Sequence, residues 1–287
     1  MQVPSKLGAS GIVFRPLVGW EDTRDTLHWY TRAVCVLPRA LAIPHPKWWH
    51  ISLKVQPDGL VTDSFPLPGG GICALVVDLL DHTVRLVTSR GEEQRFSMRG
   101  GLSARQFGDE LIAAAEDLGL RAEYDRDKFS DDTPRQYDPA QASDFFEALV
   151  NIDHIFKMHR STLAGQVGPV QLWPHNFDLS FEWFGTRQVE VGEGDTRQRL
   201  SAQLNLGFSP GDDSHPEPYF YSNPWPFNSK ALLDRPLPAG ARWFTVAWQG
   251  SLLPYAELVG DPDAINRLLD YARAVFAASA PTLMHPG

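Results

Sequence analysis

The sequence predicts an α+β fold made of two similar halves. Each half is a helix, an antiparallel meander of about four strands, and a second helix packed on the sheet. Three observations carry that reading. Apolar stripes at three-to-four spacing open the first half and close the second: Leu27, Tyr30, Val34, Leu37 and Leu41, then Ile265, Leu268, Leu269, Ala272 and Phe276. That period is the mark of an amphipathic helix. Between the stripes the period falls to two, broken by turns such as Pro57-Asp58-Gly59 and Asp81-His82, as strands and hairpins require. The punctuation also repeats. Trp49-His50, Ser52-Leu53 and Gly59 are mirrored by Pro174-His175, Leu179-Ser180 and Gly185. Residues 87–91, Phe96 and the helix opened by Ser103 are mirrored by residues 246–250, Tyr255 and the helix after Asp261, a pattern expected of an ancestral duplication.

Taken in order, residues 1–19 read as an irregular lead-in. Asp22 is placed to cap the first helix, which Pro38 should kink or stop because it lacks a donor and clashes one turn back. Residues 48–55 alternate as a strand, 60–65 return, 72–80 and 83–89 form a hairpin, and 93–98 add a further strand. Ser103 with Gln106 makes a capping box, and Gly119 stands where a helix ends. The charged stretch 121–137, interrupted by Pro134, reads as the linker between a first half (1–120) and a second (138–287). Asp138-Pro139 with Gln141 restarts a helix reaching toward Ala164, with Phe145, Leu149, Ile152, Phe156 and Leu163 inside. The strand-like stretch 170–186 follows, then extended segments at 200–208, 217–221 and 242–248, and a last helix capped by Asp261-Pro262.

Composition bounds the partners. The chain has 287 residues and a net charge of −9, which argues against nucleic acid or an anionic membrane. Cys35 and Cys73 lie in apolar patterns with no Cys-x-x-Cys spacing, which fits a reduced, buried pair in a cytoplasmic protein. No apolar run reaches the length of a transmembrane span and the N-terminus has no signal-like core. Gly69-Gly70-Gly71 precedes a strand, where a phosphate loop would precede a helix, and no other cofactor motif occurs, so no cofactor is expected.

The candidate site lies where the aromatic strand starts fall. Trp48, Trp49 and His50 open one central strand, and Trp173, His175 and Asp178 hold the corresponding place on the other. The proline-rich loop 215–227 brings Glu217 and Tyr221, and its rings are either a lid on the core or the wall of a pocket. Within 177–183, Phe177, Leu179, Phe181 and Trp183 share one face, expected under helices beside Phe145, Leu149 and Phe156. Asp178, Ser180 and Glu182 share the other, expected to face solvent. The first functional expectation is a pocket for a small molecule or peptide, mostly aromatic with a few polar groups. The runner-up is a hydrolase-like enzyme using His175 as base with Asp178 and Glu217, with a metal on His50, His175 and Asp178 as its variant. A third is an interaction module that dimerises through exposed rings. His154 and His159 stand five apart, off the spacing of a helical zinc pair, and Asp153→Lys157 reads as a surface ion pair.

Several of these stretches also carry a resemblance. Trp48-Trp49-His50, Asp153-His154-x-Phe156-Lys157 and Gly168-Pro169-Val170 followed by Phe177-Asp178-Leu179 are three of its parts. Pro216-Glu217-Pro218-x-Phe220-Tyr221-Ser222 and Leu252-Leu253-Pro254-Tyr255 complete it. Together they resemble an uncharacterised bacterial family, catalogued as a domain of unknown function. The resemblance spans nearly the whole chain and implies membership of a family, with no activity attached.

Overall fold

A computed structural model describes residues 12–212, 215–238 and 240–285. Among them lie helices α1 (Glu21–Leu41), α2 (Ala104–Asp117), α3 (Pro139–Arg160), α4 (Ser229–Leu232) and α5 (Ala264–Leu283). The strands of the first stretch are β1 (Leu53–Gln56), β2 (Gly59–Thr62), β3 (Phe65–Pro66), β4 (Ile72–Asp78), β5 (Thr83–Thr88) and β6 (Glu93–Ser97). After α3 come β7 (Gln166–Val167), β8 (Gln171–Trp173), β9 (Asp178–Val191), β10 (Gln198–Ser209), β11 (Tyr219–Ser222), β12 (Pro224–Trp225), β13 (Arg242–Phe244) and β14 (Gly250–Pro254). All of these strands that pair do so antiparallel. The architecture is mixed α+β, as the sequence predicts. Among the described residues no helix is long and apolar enough to cross a membrane.

The chain divides into two compact units. The first is Leu17–Val150 with Gln171–Asp178; the second takes the described residues before Leu17, Asn151–Val170 and those from Leu179 on. The division falls inside α3, and residues 121–137 belong wholly to the first unit. There they hold a single 3-10 turn, Arg126–Phe129, whose Phe129 is fully buried.

In the first unit the strands run β8-β1-β2-β4-β5-β6, with β3 on β4. α1 buries Leu27, Tyr30, Val34 and Leu37, and Tyr30 stacks on Phe107 of α2 at 3.9 Å between centroids. Pro38 does not stop α1: the helix runs three residues further and the Ala42 N–H closes on the Pro38 carbonyl at 2.9 Å. So near the C-terminus, proline removes one helical hydrogen bond and leaves the rest of the last turn intact. α2 has the expected capping box, Ser103 with Gln106, and Gly119, at φ 79°, ends it. At the start of α3 the Asp138 carboxylate accepts from the Ala140 N–H at 2.8 Å. Gln141 does not close a box there. Thr23 accepts from the Asp138 N–H and donates to Gln141 instead, so α1 supplies the reciprocal half of the box.

In the second unit the order is β13-β14-β11-β10-β9, with β12 on β10 and β7 on β9. The first unit is thus a simple meander from β1 to β6. The second inserts its last strand between β11 and β13, and the two halves do not repeat strand for strand. The expected burial of the ring face holds. Phe177, Leu179 and Phe181 are all buried; Phe177 meets Phe145 in the first unit at 5.4 Å, and Phe181 meets Phe156 in the second at 6.1 Å. The expected solvation of the opposite face does not hold. Asp178 is 5% exposed and Ser180 3%, so both faces of β9 are closed off near its start. Alternation of polar and apolar residues records which face is oilier, and a buried polar face gives the same pattern as a wet one.

Candidate functional site

β1 and β8 pair through Leu53 and Leu172. Because the pair is antiparallel, the residues entering β1 and those leaving β8 stand at one end of it. Side chains alternate, so Ser52, Lys54, Gln171 and Trp173 share one face, opposite Leu53 and Leu172. The stretch expected to be strand from Trp48 instead begins with Trp48 in a left-handed conformation (φ 60°) and a 3-10 turn, Trp49–Ile51. The matching turn after β8 contains Phe177, also at positive φ (58°). Backbone strain in non-glycine residues therefore falls on both turns, a placement common at ligand clamps.

A polar network fills the shared face. Lys54 Nζ donates to Ser52 Oγ at 2.8 Å and to Gln171 Oε1 at 3.0 Å. Ser52 Oγ lies 2.6 Å from Gln171 Oε1 and 2.7 Å from the Trp49 carbonyl, and its single proton serves one of them at a time. An ammonium only donates, so Lys54 fixes the Gln171 amide with its oxygen inward. Its Nε2, in a residue of zero exposure, then has no acceptor among the described residues, and the buried indole Nε1 of Trp49 has none either. A buried donor left unmade costs about 1–3 kcal/mol.

Rings and cations surround this network. Trp49 stacks on His45 at 4.4 Å and Trp48 on His50 at 5.6 Å. His50 Nδ1 accepts from the His45 backbone N–H at 3.1 Å, so the His50 proton sits on Nε2. Burial, then the charges of Arg39 and His45, hold the His50 pKa below its ordinary value. The Arg39 guanidinium lies 5.4 Å above the Trp48 ring. One face of α1 continues the array. His28 Nε2 donates to the Pro174 carbonyl at 3.1 Å, and its ring stacks on Phe177. Burial, followed by Arg32, lowers the His28 pKa to about 4.

The sequence-predicted residues separate into the two units. Trp48, Trp49, His50, Trp173, His175 and Asp178 lie in the first; Glu217 and Tyr221 lie in the second. His175 is exposed, and among the described residues its imidazole meets only the Trp173 ring, at 5.8 Å. An imidazole without an oriented partner is a poor start for a general base. Among the described residues no group of three His, Cys, Asp or Glu could hold a metal ion, so the His50, His175 and Asp178 set is not assembled. Glu217 is exposed. Tyr221 lies across Gly207, where an added Cβ would meet its ring at 2.2 Å. Tyr219 bonds Asp212 at 3.2 Å and stacks near Trp248 at 6.4 Å, and Trp248 packs on Phe244 at 4.8 Å. These rings pack on their own sheet. Asp153, expected on the surface, is buried at 7% exposure. Its bond to Lys157 is 2.6 Å long, and burial raises its pKa against the pull of that lysine.

Sequence reasoning missed Gln171, Ser52, Lys54, Arg32 and Arg39. Ser52 and Lys54 were visible as one face of an alternating strand, and Arg32 and Arg39 as a pair seven apart on one helix face. Gln171 gave no signal, because a single glutamine in a strand is unremarkable without its neighbours. Cys35 and Cys73 are free and buried; burial raises both thiol pKa values, that of Cys73 to about 11.

The fold and this array define a mixed α+β protein with a polar network set among rings and cations. A family model described as a family of unknown function, DUF5996, matches residues 15–286. The chain belongs to that family. No curated protein and no solved structure matches it.

Proposed function

We propose that this chain is a binding protein for a small molecule or peptide, with its site in the first unit where the Trp48–His50 turn meets the end of β8. The observation that carries this reading is the pair of buried donors without acceptors, Gln171 Nε2 and Trp49 Nε1, set among stacked rings. Convergent polar groups in an aromatic setting are the usual make-up of a ligand site, and a ligand acceptor would remove the cost of both orphans. Two strained turns at the same end of the β1/β8 pair support it.

The test is a thermal-shift screen of small molecules and short peptides on the full chain, repeated on Gln171→Glu. That change keeps the oxygen facing Lys54 and replaces the orphaned donor with a second acceptor. Compounds that stabilise the wild type should lose their effect in the variant, while its unliganded melting temperature stays within a few degrees. Hits that bind the variant equally well, or a screen without hits, would refute the site.

A further inference from the structure

We infer that the ligand of this site carries an oxyanion, a carboxylate or phosphate group, and that Arg32 and Arg39 of α1 are its counter-charges. The inference rests on the binding role proposed above and deepens it.

In this acid-rich chain, half-buried guanidinium groups are otherwise matched with oxygen. Arg24 pairs with Asp25, Arg85 with Asp78, Arg135 with Asp131 and Arg267 with Asp261. Arg160 donates to the Gly168 carbonyl at 2.5 Å. Arg32 and Arg39 are half-buried too, yet among the described residues each meets only an aromatic face: Arg32 lies 4.3 Å from the Trp29 centroid and Arg39 5.4 Å from that of Trp48. A partly desolvated cation held against a ring gains some attraction, but its in-plane N–H groups remain free to fork onto an oxyanion.

Their placement is not scattered. Seven residues apart, they project from one side of α1 at a separation of about 10 Å along its axis. Arg39 stands at the Trp48 turn, and Arg32 acts on His28, which is bonded to Pro174 in the other turn. The remaining groups there are also donors. His50 presents Nε2–H, and the orphans on Trp49 and Gln171 are N–H groups. Asp63 is the acidic group acting on His50, and Asp25 on His28; in each case the nearby arginine opposes it. An array of donors wants acceptors, and an oxyanion offers the most in the least space.

Calorimetric titration of the full chain with benzoate, phenyl phosphate and the neutral isostere benzamide tests this. At least one oxyanion should bind, weaken with added salt, and lose roughly tenfold or more in affinity in Arg39→Gln, since a hydrogen bond to a charged group is lost. Arg39→Lys should recover part of it, and Arg32→Gln should weaken it independently. Preference for benzoate over phenyl phosphate identifies the carboxylate source, and the reverse the phosphate. Benzamide binding as well as benzoate, or both glutamine variants binding like the wild type, overturns the oxyanion while leaving the binding site standing. Silence from all three probes in a protein that does respond to neutral compounds in the screen also overturns it. Silence everywhere refutes both.

Discussion

Both units gather aromatic rings at a turn, but they leave the polar atoms around those rings in opposite states. In the second unit the Tyr219 hydroxyl reaches Asp212, the Ser222 hydroxyl reaches the Asn205 carbonyl, and Asn223 bonds both Asn205 and Gln249. Tyr221 fills the space that Gly207 leaves, and Trp248 packs against Gly250, where a Cβ would meet its ring at 2.7 Å. In the first unit the rings of Trp48 and Trp49 border donors without acceptors and an arginine without a carboxylate among the described residues. Aromatic content alone therefore does not mark a site. Unmet hydrogen-bonding capacity beside the rings distinguishes a place waiting for a partner from one that is already filled.

The sharpest way to break this contrast is to ask whether the cores of the two units are as alike as their surfaces are different. Phe177→Ala in the first unit and Phe181→Ala in the second each remove a buried ring packed on α3. Each should cost about 3–5 kcal/mol in denaturant unfolding, transfer and cavity terms together. A cost below about 1 kcal/mol at Phe177 would mean that its turn yields readily, against the clamp described here.

The second unit holds orphaned buried atoms too, on Asp153, His159 and Ser279, and the one on His159 should be visible as acid sensitivity. His159 is 4% exposed and its Nδ1 has no partner; it borders a cavity of about 10 Å³ with Phe181, Trp183 and Asn205. Burial, then Arg273, depresses its pKa from 6.5 to about 4. The unfolded chain thus binds the proton more readily than the folded one. The stability His159 contributes is complete above about pH 6.5 and is lost as pH falls toward 4, by at most about 3 kcal/mol. His28 acts in the same direction. Unfolding of His159→Leu, followed from pH 7 to 4, should decline less steeply than the wild type; parallel curves would place the acid sensitivity elsewhere.

Two smaller effects sharpen the comparison at the surfaces themselves. Gly207→Ala drives a methyl into the Tyr221 ring and should cost about 1–3 kcal/mol by overpacking, without touching ligand binding. Trp48→Ala removes a ring that is 55% exposed and should change stability by about 0.5 kcal/mol or less, while ligand binding falls. Measured together by melting and titration, the two variants should show opposite profiles. Matching profiles would dissolve the distinction between the regions.

The sequence disclosed the helices well, since their stripes and caps are local: Ser103 with Gln106, Gly119, and Asp138 before Pro139 are each read within one turn. It disclosed the hairpin of β4 and β5 for the same reason. It did not disclose β14, because Gly-Ser-Leu-Leu-Pro has no alternation to distinguish it from a loop. Nor did it show that β14 inserts beside β11, since strand order depends on contacts between distant segments. Trp48 and His50 were found by their type. Gln171, the residue that makes the site interesting, could not be, because an unmet donor exists only once Ser52 and Lys54 have been folded against the other end of its amide.

The most direct test of the central claim reads the orphaned indole itself. Of the nine tryptophans, Trp49 has its Nε1–H buried without an acceptor in the first unit, and Trp248 stands in the packed ring cluster of the second. In 15N-labelled protein, with the indole signals assigned by Trp→Phe variants, titration with whichever of benzoate and phenyl phosphate binds more tightly should move the Trp49 Nε1–H resonance downfield as it gains an acceptor. The Trp248 resonance should stay in place. Movement at Trp248 with Trp49 unchanged would contradict the account and move the site to the second unit's rings.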